Sequence, residues 1–166
     1  MERQTAEEGK TGTKPGKEPE VSATAAEKSA EDCDPTQGEN GKDLEGLEAL
    51  ALVIYQEAGG DGCCDECRLR VADVVLNRVA DERFPDTIQE VVLQEGQYGM
   101  LSSTGLVWPE RADNPLEADA LERAWQTARE VLKGRHSELY GAGYIWQAEF
   151  EQGTDHVYCC GICYGR

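Results

Sequence analysis

The run Leu47-Glu-Ala-Leu-Ala-Leu-Val-Ile-Tyr-Gln-Glu57-Ala-Gly-Gly60 constrains this chain more than any other stretch. Leu47, Leu50, Ala51, Ile54 and Ala58 recur at three- and four-residue steps, the spacing of one buried helical face. The pattern predicts a helix from about Asp43, its N-cap, to Ala58, ended at Gly59-Gly60 by the left-handed stop that glycine favours. Glu57 lies three residues past Ile54 and seven past Leu50, so it edges onto the apolar face. In the last turn it meets the negative end of the helix dipole and partly apolar neighbours, and both disfavour a charged carboxylate. A carboxyl raised toward neutral pH can act as a general acid. The plainer reading is a surface Glu whose stem covers apolar neighbours while its head stays in water.

Residues 1 to about 42 cannot join such a core. Val21 is their only large aliphatic side chain besides Met1, so they bury too little apolar surface to offset the entropy of ordering. A disordered acidic tail is expected there, followed by one domain over residues 43–166. Deleting that tail should leave the melting temperature nearly unchanged. The formal net charge is -17; residues 1–43 hold 11 acids and 6 bases, which leaves -12 for the rest. Such a balance argues against nucleic acid as a partner, since phosphate binding is driven by Lys and Arg.

Further along, Asp65 or Glu66 starts a second helix with Leu69, Ala72, Val75, Leu76 and Val79 on one face. Asp86-Thr-Ile-Gln89 reads as a capping box opening a short third helix, with Ile88, Val91 and Val92 inward. Glu95 to Trp108 is Gly-rich and is expected as a loop. Asn114-Pro115-Leu-Glu117 is a strong start for a long helix reaching Gly134. Tyr144–Phe150 and Val157–Tyr164, separated by Gly153-Thr-Asp155, read as strands. The fold class expected is α+β, mainly helical.

Four blocks, Ile54-Tyr-Gln-Glu57-Ala-Gly-Gly, Val71-Ala-Asp-Val-Val-Leu-Asn77-Arg78-Val, Phe84-Pro85-Asp-Thr-Ile-Gln-Glu-Val-Val and Gln94-Glu-Gly-Gln97-Tyr98, occur in that order. From about Leu44 to Tyr98 the chain resembles the SleB-type cell-wall hydrolases, which include spore-cortex lytic enzymes and related phage and bacterial lysins. The resemblance implies a lysozyme-like catalytic domain with a small C-terminal β-hairpin, cleaving the glycan strands of peptidoglycan. It also implies one essential Glu, which maps onto Glu57. Met1-Glu-Arg-Gln-Thr lacks the apolar run of a signal peptide and no stretch reaches the length of a membrane span. Localisation is therefore left open, and delivery to a wall would need lysis, a holin, a non-classical route or an upstream portion. The anionic chain would repel an anionic wall; the plainer view is that its charge serves solubility.

Glycan cleavage needs a proton for the departing oxygen and stabilisation of oxocarbenium-like charge. A hydrolase usually adds a second carboxylate, for which Asp61, Glu66, Glu95, Glu149 and Asp155 are candidates, each also readable as surface charge. A lytic transglycosylase needs none, because the muramic acid 6-hydroxyl attacks and one Glu serves first as acid and then as base. Gln94–Gly99, the Trp108 loop and Tyr144–Glu149, with Gln97, Tyr98, Trp146 and Gln147 as the named candidates, could supply a sugar-binding wall, since amides bond hydroxyls and aromatic faces pack on pyranose rings. The resemblance, weaker beyond Tyr98, favours Gln97, Tyr98 and Gln147. Core packing competes for Trp146 and is favoured for Trp125. Arg78 reads better as an anchor of loops than as a substrate contact.

Cys63-Cys64-Asp-Glu-Cys67 and Cys159-Cys160-Gly-Ile-Cys163 repeat one Cys-Cys-x-x-Cys pattern, with Cys33 isolated. Disulfides or adjacent thiols bracing the site are the favoured reading. Free thiols are one alternative, and a zinc site of Cys64, Cys67, Cys160 and Cys163 is another. Nothing in the family resemblance calls for a metal or other cofactor. His156 beside Cys159 and Cys160 leaves a Cys-His peptidase as a remote option, and His136 is expected to be exposed. The functional alternative is a non-catalytic cysteine-cluster module, binding a metal or a partner on a lysin-like core. The chain is expected to act as a monomer.

Overall fold

Ala49, Leu50, Ala51, Leu52, Val53 and Ile54 are six consecutive residues with no exposed surface. They lie in α1 (Gly41–Ala58), so this helix is buried all round at its middle instead of along a single stripe. The computed structural model describes residues 41–109 and 114–166. The expected tail, apart from its last two residues, and Cys33 lie outside the described residues. Asp43 falls within α1 and is not its cap.

Around α1 pack α2 (Asp65–Val79), α3 (Ile88–Leu93) and α5 (Pro115–Leu132), and α3 carries on to α4 (Gly99–Thr104). Two of these helices begin as their sequences predict, with one shift. Asn114 caps α5 by accepting from the Leu116 N–H at 3.0 Å, with Pro115 in the first turn. The cap of α3 is Thr87, which accepts from the Glu90 N–H at 3.2 Å, so the box pairs Thr87 with Glu90 and not Asp86 with Gln89. The Gly-rich segment expected as a loop contains α4. Tyr98 and Leu101 are buried and anchor it, while Ser103 and Thr104 donate back to the Met100 carbonyl, both at 2.9 Å.

A three-stranded antiparallel sheet closes the chain, with order β1-β3-β2: β1 is Trp146–Ala148, β2 Val157–Cys159 and β3 Ile162–Gly165. The single strand expected over Val157–Tyr164 is instead a hairpin in itself, β2–β3, and the first expected strand, β1, pairs with its far arm, β3. Cys159 faces Ile162, and the two residues between them, Cys160 (φ 50°) and Gly161 (φ 84°), both sit in the left-handed region. Two positive φ values in a two-residue turn match the right-handed twist of the strands they join. The first strand is shorter at both ends than the Tyr144–Phe150 expected, and the backbone carbonyls just before it are held by α2. Asn77 on α2 donates to the carbonyls of Leu139 (2.7 Å) and Tyr144 (2.9 Å) and accepts from the Gly141 N–H (2.8 Å). Arg78 Nε donates to the Ile145 carbonyl at 2.7 Å. Tyr164 of β3 is fully buried and joins the helical core.

The architecture is mainly helical α+β. No helix among the described residues is long and apolar enough to cross a membrane.

Candidate active site

A cleft of about 930 Å³ opens where α1 ends, between α4 and the start of α5. Glu57, Asp61, Thr104, Trp108, Glu117 and Tyr55 are among its lining residues. Glu57 arrives there because α1 stops one residue later. Neither Gly59 nor Gly60 adopts a positive φ, so the left-handed stop expected at this pair is absent. Glycine is required at 59 for space instead: a Cβ there would lie 2.2 Å from the Tyr55 carbonyl oxygen.

The carboxyl of Glu57 is exposed to solvent within the cleft, yet protein atoms crowd its sides. That partial desolvation raises its pKa, against two opposing influences: a hydrogen bond from Gln147 and the charge of Arg78. Gln147 Nε2 donates to Glu57 Oε2 at 3.4 Å. Three buried polar atoms next to this pair have no hydrogen-bond partner: Gln147 Oε1, Tyr98 Oη and Arg78 Nη1. All three atoms are buried and their residues lie outside the cleft lining, so they belong to the support around the carboxyl and not to the surface open to a ligand.

Beneath the carboxyl, Arg78 is clamped between two rings, its guanidinium carbon 5.4 Å from the Phe84 centroid and 5.1 Å from that of Tyr98. Together with its bond to Ile145, this makes Arg78 the loop anchor that its sequence block suggested. Tyr98 differs from the stacking wall expected of it. Its ring is buried under Arg78 and cannot lie along a sugar, and burial raises its hydroxyl pKa to about 12. Trp146 sits on β1 beside Gln147, so strand alternation turns it to the opposite face. There it meets Phe84 edge-on, with centroids 6.4 Å apart. Gln97 is half-buried in the turn before α4, and no hydrogen bond joins it to Glu57. The structure thus brings Glu57 and Gln147 together, places Tyr98 below them, and leaves Trp146 and Gln97 outside the contact.

Of the five second-acid candidates only Asp61 lines the cleft, where Arg123 pairs with it at 3.3 Å. Glu66 is held by Arg70, Asp155 pairs with Arg166, and Glu95 and Glu149 are exposed. The carboxylate missed is Glu117. Its position three residues after Asn114 suggested a capping box, but its side chain instead accepts from the Tyr55 hydroxyl at 2.7 Å, in the cleft. Burial and this acidic neighbour raise the Tyr55 pKa to about 12. Trp108 also lines the cleft, donating to Glu48 at 2.7 Å and stacking on Trp125 with centroids 5.2 Å apart. Trp125 is accordingly half-buried on another ring.

The histidines have other partners than expected. His136 is not exposed: its Nδ1 lies 2.8 Å from the buried carboxylate of Asp73 and its ring stacks on Tyr140. Asp73 also accepts from the backbone and hydroxyl of Ser137, so this pair pins the turn after α5. His156 faces Glu151 at 3.9 Å, and no hydrogen bond links it to Cys159 or Cys160. That removes the Cys-His arrangement a peptidase needs. No disulfide joins the six described cysteines; Cys64, Cys159 and Cys160 lie as adjacent thiols, one of the two forms of bracing expected.

A family model described as Cell Wall Hydrolase matches residues 64–156, more than half of the chain. The spore cortex-lytic enzyme of Oceanobacillus iheyensis is similar, 28% identical over 116 residues that make up 68% of this chain. Those residues cover 41% of that enzyme, so the chain spans less than half the length of this curated relative. No solved structure matches. Glu57 lies seven residues before the span of the family model, so its role rests on the cleft. Matched over more than half its length and related to a spore cortex-lytic enzyme, the chain belongs to the cell wall hydrolase family, of the SleB type.

Proposed function

We propose that this domain cleaves the glycan strands of peptidoglycan as a lytic transglycosylase on a lysozyme-like scaffold, with Glu57 as its general acid and base. The observation that carries the reading is the Glu57 carboxyl itself, crowded enough to raise its pKa and placed in the lining of a cleft of about 930 Å³. Protonated Glu57 gives its proton to the glycosidic oxygen as the bond to the anomeric carbon breaks. The resulting carboxylate then takes the proton of the muramic acid 6-hydroxyl as that oxygen closes onto the anomeric carbon, and Glu57 regains its starting state. Asp61 and Glu117, the other carboxylates named in the cleft, are engaged by Arg123 and Tyr55, which favours a mechanism with one free acid. The relative's printed name, a spore cortex-lytic enzyme, supports the substrate class.

Incubating purified protein with bacterial walls and with spore cortex, followed by mass spectrometry of the released muropeptides, tests both parts. Products ending in 1,6-anhydro sugars are expected. Reducing-end products would replace transglycosylation by hydrolysis, and no release from either substrate would sink the glycan reading.

A further inference from the structure

The two cysteine clusters meet, though not in the combination that their repeated spacing suggests. Cys64 Sγ lies 3.5 Å from Cys159 Sγ and 3.5 Å from Cys160 Sγ, and Cys159 and Cys160 are 3.8 Å apart. These three sulfurs therefore form a nearly equilateral triangle. Four thiolates about 2.3 Å from a tetrahedral zinc have sulfur–sulfur edges of about 3.8 Å by geometry. A disulfide would instead join two of them at about 2.05 Å and leave the third aside.

Cys67 lies outside this triangle, whose three sulfurs alone converge, and is the neighbour placed to complete it by turning its side chain toward the hairpin tip. It is buried one turn further along α2, 3.7 Å from the Cys159 carbonyl and 3.3 Å from the Tyr164 hydroxyl, so it faces the same hairpin. Cys163 is excluded by register. It sits between Ile162 and Tyr164 on β3, so its side chain points to the other face of the sheet from Tyr164, which reaches Cys67. The second half of the site is accordingly Cys159-Cys160 at the hairpin tip, and not Cys160-x-x-Cys163.

Three further features suit thiolates. The Cys64 backbone N–H donates to Cys160 Sγ at 3.3 Å, and Cys64 is itself the N-cap residue of α2, where the helix dipole favours negative charge. Arg70 donates to the Tyr158 carbonyl at 3.2 Å, which sets its positive charge beside the hairpin. Cys160 also occupies the first position of a turn that favours Asn, Asp or Gly, at φ 50°. A cysteine there accepts backbone strain, and a ligand role accounts for it.

We propose that Cys64, Cys67, Cys159 and Cys160 bind one structural zinc ion, which staples the β2–β3 hairpin to the N-terminus of α2. The site closes a loop of some ninety residues and holds the sheet that carries Gln147 against the helices. It stands independently of the glycan-cleaving reading, because none of its ligands lines the cleft.

The test is metal analysis of the full chain purified in reductant without added metal, followed by cobalt substitution. One zinc per chain is expected. Cobalt should give the thiolate charge-transfer band and the visible spectrum of a tetrahedral sulfur site. Cys159→Ser and Cys160→Ser should weaken zinc binding on the order of a hundredfold or more, since even outer-shell changes cost 10–100-fold. Cys163→Ser should keep the full zinc content. Absence of zinc together with a silent cobalt spectrum would overturn the proposal. So would peptide mapping of unreduced protein that finds Cys64 joined by a disulfide to Cys159 or Cys160, or full zinc retention by Cys160→Ser.

Discussion

Gln147 Nε2 reaches Oε2 of Glu57 at 3.4 Å across 90 residues of sequence, joining the first strand to the end of the central helix. The contact favours the charged carboxylate, whereas crowding by protein favours the neutral acid, and crowding is the larger effect. The net effect is a raised pKa, the direction that the proposed general acid needs.

Replacing Glu57 by Gln removes the proton and little else. Wall-lysis rate, followed by turbidity, should fall by about 10²–10⁴-fold, the usual share of general acid–base catalysis. The melting temperature should stay level or rise. A variant that lyses walls at the wild-type rate would dismiss Glu57 as the acid.

Stability should carry the same signature. Because folding raises the Glu57 pKa, the folded chain holds this proton where the unfolded chain has lost it. This contribution is complete below the unfolded pKa and is lost as pH rises through the folded value. The stability difference between wild type and Glu57→Gln should therefore shift against the wild type over that window. Urea denaturation at several pH values reads it; a difference that stays flat with pH contradicts the raised pKa.

Gln147→Ala withdraws an influence that lowers the Glu57 pKa. The alkaline limb of the pH–rate profile should move to higher pH, with a lower maximum. Movement toward lower pH would show that Gln147 does not act on this carboxyl.

Glu117→Gln distinguishes one acid from two. Glu117 lies in the cleft but is held by Tyr55, so the variant should retain activity within a few-fold. A loss as large as that of Glu57→Gln would make Glu117 the second carboxylate of a hydrolase.

Asn77→Ala probes the frame behind the site. Its three hydrogen bonds organise residues 139–144, and their loss should cost about 2–4 kcal/mol, since each is worth about 0.5–1.5 kcal/mol and buried groups are left unpaired. The midpoint of urea unfolding measures it; an unchanged midpoint would mean that the loop holds itself.

Local pattern was enough to locate α1, α2 and α5, because apolar spacing and the Asn114-Pro115 start act within a few residues of chain. The same spacing put Glu57 at the end of its helix, where only the family resemblance set it apart from a surface Glu. α4 was hidden, since its Gly-Ser-Thr composition has weak helical preference and only the burial of Tyr98 and Leu101 holds it. Glu117 was hidden for a related reason: a capping-box position says nothing of Tyr55, 62 residues away. The burial of Tyr98, the turning of Trp146 away from Glu57, and the choice of Cys159 over Cys163 were likewise decided by packing and strand register. Sequence alone determined where helices begin and which carboxyl ends the central one, because those forces are local. Only the tertiary structure decided which distant side chains surround that carboxyl and that Cys64, Cys159 and Cys160 converge, because desolvation, charge and metal geometry depend on distances through space.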